Sequence, residues 1–399
     1  MFIRCSCPGQ LRQSIALKLG TVLLGLNLAW LSAAAEPESA SEAAHLSEIA
    51  TSTQVLDLNS LVGLDDLMGR IAEKDVIFIG ESHNSYADHL NQLAIIERLH
   101  ARGKPLAIGM EFFQQPFQPV LDAYVAGELS EHEMLKQTEY FDRWRYDYRL
   151  YRPILRFARE QGIALVALNL PRELTEKVGK QGMDALEPEE RARLPAEIDA
   201  SDPAYRERLK AVYEQHPQGP DSDFERFLSV QLLWDEGMAE QAARFLDTQP
   251  GTTLVVLAGS GHLEYDQGIP MRLKRRKPVE TVTILNGTHH AFAPERADYL
   301  LFPLPLELPA RGLLGVMLDT QAEGEGVRIE GFSDQSGARD AGVKEDDRLV
   351  RIGGRAISDY ADVRIAMVDA APGDQLAVEV LRPGLIGKSE RLRMEVRLH

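Results

Sequence analysis

Five short apolar runs, spaced along residues 76–285, constrain the fold of this chain more than any other feature. Each run is nearly continuous in apolar residues, which is typical of strands that are buried on both faces of a sheet. The stretches between the runs have helical spacing, and Leu90, Leu93, Ile96 and Leu99 mark one such helix face. Strands separated by helices predict an α/β fold with a parallel sheet and flanking helices. The runs cover residues 76–79, 105–108, 163–168, 253–257 and 281–285.

Polar residues follow several of these runs directly. Two runs are followed by a glycine and, three residues later, by a histidine, which is His83 in one case and His262 in the other. Glu81 stands beside the first histidine, and Glu111 follows another run. Ligands of open parallel sheets bind at the carboxyl ends of the strands. We therefore expect the two histidines and the two acids to meet at one edge of the sheet.

Two imidazoles and a carboxylate could bind a divalent metal ion while one coordination position stays open. The predicted metal ligands are His83, His262 and Glu111. A water molecule on such a metal would be acidified for hydrolysis, with Glu81 or Glu111 as the catalytic acid or base. The alternative is that each histidine is a hydrogen-bonded structural residue at the end of a strand.

Aromatic and arginine side chains are interleaved in residues 139–155, EYFDRWRYDYRLYRPIL. Flat aromatic surface, phenol oxygens that can ligate iron and guanidinium groups that can pair with propionates are the components of a haem pocket. The candidate haem-binding residues are Tyr140, Trp144, Arg145, Tyr146 and Tyr148. The alternative is a helix that packs onto the sheet through one aromatic face. That face would consist of Phe141, Trp144, Tyr148 and Tyr151.

The N-terminus has the pattern of an export signal. Basic residues precede an apolar run at 19–31, and small residues at 33–35 provide a cleavage site. This pattern predicts a signal peptide over residues 1–35, a flexible polar tether over 36–54 and a periplasmic product. The alternative is an uncleaved signal that anchors the chain in the inner membrane. Cys5 and Cys7 both precede the cut, so the exported chain would have no cysteine for a disulfide or a lipid anchor.

The net charge of −17 restricts the class of partner. An acidic surface repels phosphate groups, and the sequence has no basic stripe long enough to reverse that repulsion. Nucleic acid is therefore excluded as an expected partner.

The texture of the sequence changes after residues 301–311, a proline-rich stretch that suits a linker. Residues 312–399 have short apolar runs and glycine-rich turns, with one helix expected near residues 361–368. These features indicate a second, smaller β domain.

Residues 55–300 resemble the ChaN-like haem-binding uptake family of the Tiki, TraB and erythromycin esterase superfamily. The resemblance rests on the ordered motifs VIFIGESHNSYADHLNQL, IGMEFF, YRPILRFARE, VALNLPRE and VVLAGSGHLEYDQGIPMRL. It implies an α/β fold, a role in haem or iron acquisition, and haem held in a dimer through a tyrosine. It also implies that His83, His262 and Glu111, with Glu81 beside them, match residues proposed for metal-dependent hydrolysis. Members of the family are often lipoproteins, and this chain departs from that pattern.

Residues 312–399 resemble a bacterial PDZ domain through SGARDAGVKEDDRLVRIGGRAI and APGDQLAVEVLRPG. The resemblance places the carboxylate-binding loop at Gly312, Leu313, Leu314, Gly315 and Val316. Such a domain adds the C-terminal or extended peptide of a partner to its sheet as an extra strand. The alternative is a domain that serves only as a lid or a dimer contact.

The favoured interpretation is an exported haem-binding protein whose PDZ domain binds a peptide of an envelope protein. A metal-dependent hydrolase of peptides or esters is the alternative. A third hypothesis is an adaptor in which the two histidines have only a structural role.

Overall fold

The structure, a computed structural model, describes residues 56–215, 222–288, 292–384 and 388–399. The predicted signal peptide and tether lie outside these residues. Contacts divide the chain into a unit that ends at Leu61 and a second unit from Val62 to His399. The first contributes only the 3₁₀ turn Leu58–Ser60 to the description. No helix in the described ranges has the length and apolar character needed to cross a membrane.

A parallel sheet forms the centre of the α/β part. Within the described residues it has six strands in the order β3-β2-β4-β1-β5-β6. The strands are β1 Val76–Glu81, β2 Leu106–Gln114, β3 Ala164–Asn169, β4 Thr253–Gly259, β5 Thr281–Asn286 and β6 Tyr299–Leu301. All neighbouring pairs are parallel. The five predicted strands and the α/β class are therefore confirmed, and the short edge strand β6 is an addition.

Strand β1 shows why the apolar runs are continuous. Ile77 and Ile79 pack into one core cluster with residues of the preceding and following helices, whereas Val76 and Phe78 pack into another cluster on the opposite face. Both faces of the strand are buried, so no position is free to be polar. The helices of the α/β part are α1 Leu64–Ile71, α2 Tyr86–His100, α3 Gln118–Val125, α4 Glu131–Gln137, α5 Tyr140–Arg143, α6 Arg152–Gln161, α7 Arg172–Gln181, α8 Pro188–Arg191, α9 Pro203–Gln215, α10 Phe224–Thr248 and α11 Ile269–Arg276.

The C-terminal part is an antiparallel β domain. In the ranges that the structure describes, its sheet has the order β12-β11-β9-β8-β7, and β10 pairs with β9. The elements are β7 Val316–Asp319, β8 Val327–Phe332, α12 Gly337–Asp340, β9 Arg348–Ile352, β10 Arg355–Ala356, α13 Tyr360–Ala366, β11 Gln375–Arg382 and β12 Glu390–Arg397. The helix expected near residues 361–368 is α13. Strand β7 lies at the edge of the sheet, next to only one other strand of it.

Helix α13 joins the two parts into one unit. Its residues Ala361 and Ile365 belong to the same buried cluster as the core of the α/β part. Ion pairs reinforce this packing, because the Lys136 ammonium lies 2.7 Å from a carboxylate oxygen of Asp359 and the Arg152 guanidinium 2.5 Å from one of Asp369. The proline-rich stretch thus connects two parts that pack closely against each other.

Candidate functional site

The site lies at the carboxyl ends of β1, β2 and β4. Glu81 is the last residue of β1, and His83 follows it by two positions. Strand β2 continues past its last residue paired with β4, Met110, so Glu111 lies within the strand and not in the loop that the sequence predicted. His262 ends a 3₁₀ turn that follows β4 directly. The expected meeting of these residues at one sheet edge therefore occurs.

Glu81 is the centre of a buried hydrogen-bond network. One carboxylate oxygen lies 2.9 Å from His83 Nδ1 and accepts a hydrogen bond of 2.9 Å from the Tyr151 hydroxyl. The other accepts a hydrogen bond of 2.8 Å from Gln92 Nε2 and lies 3.2 Å from His89 Nδ1. Four side chains from three segments thus converge on one carboxylate that is almost fully removed from water.

Charge within this network is mutually compensated. Burial favours the neutral carboxyl of Glu81, but the neighbouring His89 and His83 outweigh it and lower the pKa of Glu81 far below its usual range. The pKa of His89 is raised, because the attraction of Glu81 exceeds the cost of burial. His89 Nε2 also faces the backbone oxygen of His83 at 3.3 Å, so both ring nitrogens of His89 meet acceptors. This arrangement favours the protonated form of His89.

A second network surrounds His262. Its Nδ1 lies 2.6 Å from a carboxylate oxygen of Asp235 on α10, and its Nε2 lies 3.5 Å from Glu111. The other oxygen of Asp235 accepts a hydrogen bond of 2.6 Å from the Tyr205 hydroxyl. Burial opposes charge on the imidazole, but Glu111 and Asp235 outweigh burial and raise the pKa of His262 to about 10. At neutral pH this histidine is protonated on both nitrogens.

The two networks meet above Gly259. The backbone N–H of Gly259 donates a hydrogen bond of 2.6 Å to Glu111. A Cβ at this position would lie 2.9 Å from the His83 ring and 3.6 Å from a Glu111 oxygen. Glycine is therefore needed here because the imidazole of His83 occupies the space of a side chain.

Replacing Gly259 with alanine is expected to displace the His83 ring, because a 2.9 Å contact is too short for a Cβ. We expect the histidine ring signals of His83 to shift in a two-dimensional NMR spectrum and the pKa of His83 to move. Gly261→Ala is a matched control, since a Cβ at Gly261 meets no atom within 4 Å. Unchanged His83 signals in Gly259→Ala would contradict this placement.

The predicted metal site is not supported. No group of three or more His, Cys, Asp or Glu side chains in the described residues could hold a metal ion. His262 explains part of this result, since an imidazole ligates a metal through an unprotonated nitrogen and both nitrogens of His262 face carboxylates. Within this set His262 pairs with Glu111, whereas His83 pairs with Glu81.

The aromatic segment is not one helix, as the packing alternative assumed. Helix α5 ends at Arg143, Arg145 has a left-handed backbone with φ of 70°, and a separate 3₁₀ turn spans Tyr148–Leu150. The predicted packing nevertheless occurs, because Phe141, Tyr148 and Tyr151 belong to the buried core cluster and Trp144 packs against it.

Only part of the predicted haem-binding set reaches the sheet edge. The rings of Trp144 and Tyr146 lie 4.8 Å and 5.0 Å from the ring of His83, and Tyr146 is exposed. Tyr140 and Tyr148 do not reach this edge, because both are buried and pack against each other in the core, and their role in haem binding stays a prediction. Arg145 is exposed but lines a separate cavity with residues of the β domain.

Several site residues were missed by sequence reasoning. Three of them, His89, Gln92 and Tyr151, surround Glu81, and Asp235 pairs with His262. The first two are buried polar residues of α2 and lie outside the apolar positions by which the sequence marks this helix. The sequence did contain a signal for Asp235. This acid lies on the apolar face of a long helix, between Leu232 and Met238, and all three residues are buried.

A groove of about 250 Å³ lies between β7 and α13 of the β domain. The predicted carboxylate-binding loop, Gly312 to Val316, forms one end of it. The amides of Gly312 and Leu313 already donate to the carbonyl oxygens of Ala370 and His399. Leu314 and Gly315 also line the groove, and within the described residues their amides donate to no backbone carbonyl oxygen.

The fold and the site define a class: an α/β protein with paired imidazole and carboxylate networks at its sheet edge, combined with a β domain that has a groove beside its edge strand. The chain belongs to the family of haem-binding uptake proteins of the Tiki superfamily, ChaN, whose model matches residues 67–273. Residues 312–398 match the PDZ domain model. Both resemblances found in the sequence are therefore confirmed.

Individual relatives are distant. A structure of cofacial haem binding to ChaN of Campylobacter jejuni is 15% identical, with a TM-score of 0.49, and covers 59% of this chain and 90% of that chain. The HtrA3 PDZ domain bound to a phage-derived ligand is 18% identical, with a TM-score of 0.19, over 22% of this chain and 86% of that chain. Protein RETICULATA-RELATED 5, chloroplastic, of Arabidopsis thaliana is 23% identical. The aligned part covers 53% of this chain and 30% of that protein.

Proposed function

We propose that this chain binds haem at the sheet edge, against Tyr146, Trp144 and His83. The observation that carries the proposal is the exposed phenol ring of Tyr146. Its ring centre lies 5.0 Å from that of His83 and 5.4 Å from that of Trp144. An exposed tyrosine flanked by an indole and an imidazole offers both an oxygen ligand for ferric iron and aromatic surface for a flat macrocycle. Membership in the haem-binding uptake family supports the same conclusion.

The residues present fit haem in part. Haem supplies a ferric ion that an ionised phenol oxygen can ligate. Partial burial, Glu111 and Glu81 raise the pKa of Tyr146, so its phenol is protonated in the free chain. Tyr146 must lose this proton to ligate iron, and haem affinity is therefore expected to rise with pH. Arg145, the candidate for pairing with propionates, lines another cavity and is not part of this cluster.

Titration of the purified chain with haemin tests the proposal. The wild type is expected to give a saturable Soret band, and Tyr146→Phe to shift the band and weaken affinity at least about tenfold, or about 1.4 kcal/mol. Tyr140→Phe is a matched control, because the Tyr140 hydroxyl is buried without a hydrogen-bond partner in the described structure.

The possible outcomes distinguish haem binding by the chain from the role of Tyr146 as the iron ligand. A wild-type chain without a saturable band would remove haem binding altogether. If Tyr146→Phe gave the same Soret band and the same affinity as the wild type, haem binding would stand but Tyr146 would be excluded as the iron ligand.

The wider role follows from both parts of the chain. We place the protein in the periplasm, in haem or iron uptake, with its PDZ domain bound to the C-terminal peptide of an envelope protein. The signal-like N-terminus supports export, and the groove beside the free edge of β7 supports strand addition by a peptide. Size measurement of the chain with and without haemin tests the dimer that the uptake role would use.

A further inference from the structure

The peptide groove of the PDZ domain has a wall that belongs to the α/β part. On one side it is lined by β7 and α13, and on the other by Phe141, Asp147 and Arg149. The side chains that it offers from the PDZ domain are mainly apolar, among them Leu314, Val316, Leu318, Val363, Met367 and Val368. An apolar residue at the C-terminus of a peptide would therefore be buried in it.

Positive charge is concentrated along this groove. Three arginines line it, Arg149, Arg311 and Arg364, against a single acid, Asp147. Asp147 is largely occupied by Arg149, whose guanidinium holds both of its oxygens at 3.1 Å and 2.8 Å. Arg311 approaches Asp147 only to 4.0 Å. The groove thus has excess positive charge on a chain whose net charge is −17.

Arg364 on α13 is the arginine with the least compensation. Its guanidinium lies 4.7 Å from the ring centre of Phe141 and 5.8 Å from that of Tyr360, and it donates a long hydrogen bond of 3.4 Å to the Tyr360 hydroxyl. No carboxylate of the described residues lies within 4.0 Å of it. Arg311 lines the same groove as Arg364, and its pKa is lowered by burial and further by repulsion from Arg364. A negative group placed between them would relieve this repulsion.

We propose that the groove selects a peptide that has an acidic side chain upstream of an apolar C-terminal residue. This proposal rests on the proposed peptide binding by the PDZ domain and adds its specificity. The peptide would pair with the free edge of β7, and its terminal carboxylate would accept hydrogen bonds from the amides of Leu314 and Gly315. An upstream Asp or Glu would pair with Arg364 and Arg311, because these cations lack a full complement of acids.

Three labelled hexapeptides test the proposal on the chain that contains both parts. The first has the sequence Gly-Ser-Glu-Glu-Tyr-Val with a free carboxylate, the second replaces both glutamates with glutamines, and the third is the acidic peptide with an amidated C-terminus. Fluorescence anisotropy is expected to show about tenfold tighter binding of the first than of the second at low salt, with the difference reduced at high salt. The amidated peptide is expected to bind weakly.

Arg364→Gln is expected to abolish the preference for glutamate over glutamine without loss of binding to the glutamine peptide. Arg391→Gln is the control, because Arg391 lies on β12, where it pairs with Glu325 and Glu379. Equal affinity of the wild type for the first two peptides would overturn the acid selectivity and leave peptide binding intact. Binding of none of the three would instead overturn the proposed peptide binding itself.

Discussion

Replacing Glu81 with alanine is expected to lower the free energy of unfolding by about 3–5 kcal/mol, the range found when one partner of a buried ion pair is removed. The carboxylate contacts His83, His89, Gln92 and Tyr151 and is 3% exposed. Its loss would leave the His89 imidazolium buried without a counter-charge. Chemical denaturation of the purified protein, followed by tryptophan fluorescence, measures the change.

Glu97→Ala provides the matched control for this measurement, because Glu97 is an exposed acid on the same helix that carries His89. Its effect should stay within about 0.5 kcal/mol, as for ordinary surface substitutions. If Glu81→Ala destabilised the chain no more than Glu97→Ala does, the Glu81 network would be too loosely formed to organise the site.

The second large effect is a pH dependence of the free energy of unfolding that arises from His262. Its folded-state pKa is raised from 6.5 to about 10. The protonated imidazole therefore contributes stability in full below pH 6.5, and this contribution is lost as the pH rises towards 10. The stability difference between wild type and His262→Gln should thus shrink by up to about 5 kcal/mol between pH 6 and pH 10. Urea denaturation of both proteins across this range measures it.

His100→Gln serves as the control, since the His100 ring packs edge-on against Phe157 at the far end of α2. The difference between wild type and this variant should change little over the same pH range. A difference for His262→Gln that stays constant from pH 6 to pH 10 would show that Asp235 and Glu111 do not hold His262 in its charged form.

The fold could be predicted because its strands are buried on both faces. A strand such as β1 has no polar position within 76–79, so the sequence marks it without ambiguity. The polar end of β2 could not be placed in the same way. Glu111 is buried inside the strand, although a carboxylate after an apolar run normally indicates a loop, because the Gly259 amide and His262 compensate its charge.

Helix α2 shows why the site was only partly predictable. Leu90 and Leu93 marked the expected inner face, but Asp88, His89 and Gln92 are the buried residues in that half of the helix. These polar side chains are buried because they form hydrogen bonds with residues from distant parts of the chain. Gln92 donates to Glu81, and Asp88 accepts from Asn286. Such partners are set by tertiary structure and leave no periodic signal in the local sequence.

Helix α13 has a consequence for how this protein could be divided. Ala361, Ile365 and Val368 lie in the core cluster of the α/β part, while the neighbouring Val363 lies in the core of the PDZ domain. Cutting the chain at the proline-rich stretch would separate these packed residues. Each fragment would then expose an apolar surface to water. The two halves are therefore not interchangeable building blocks, and either one transplanted alone would need its newly uncovered surface redesigned with polar side chains.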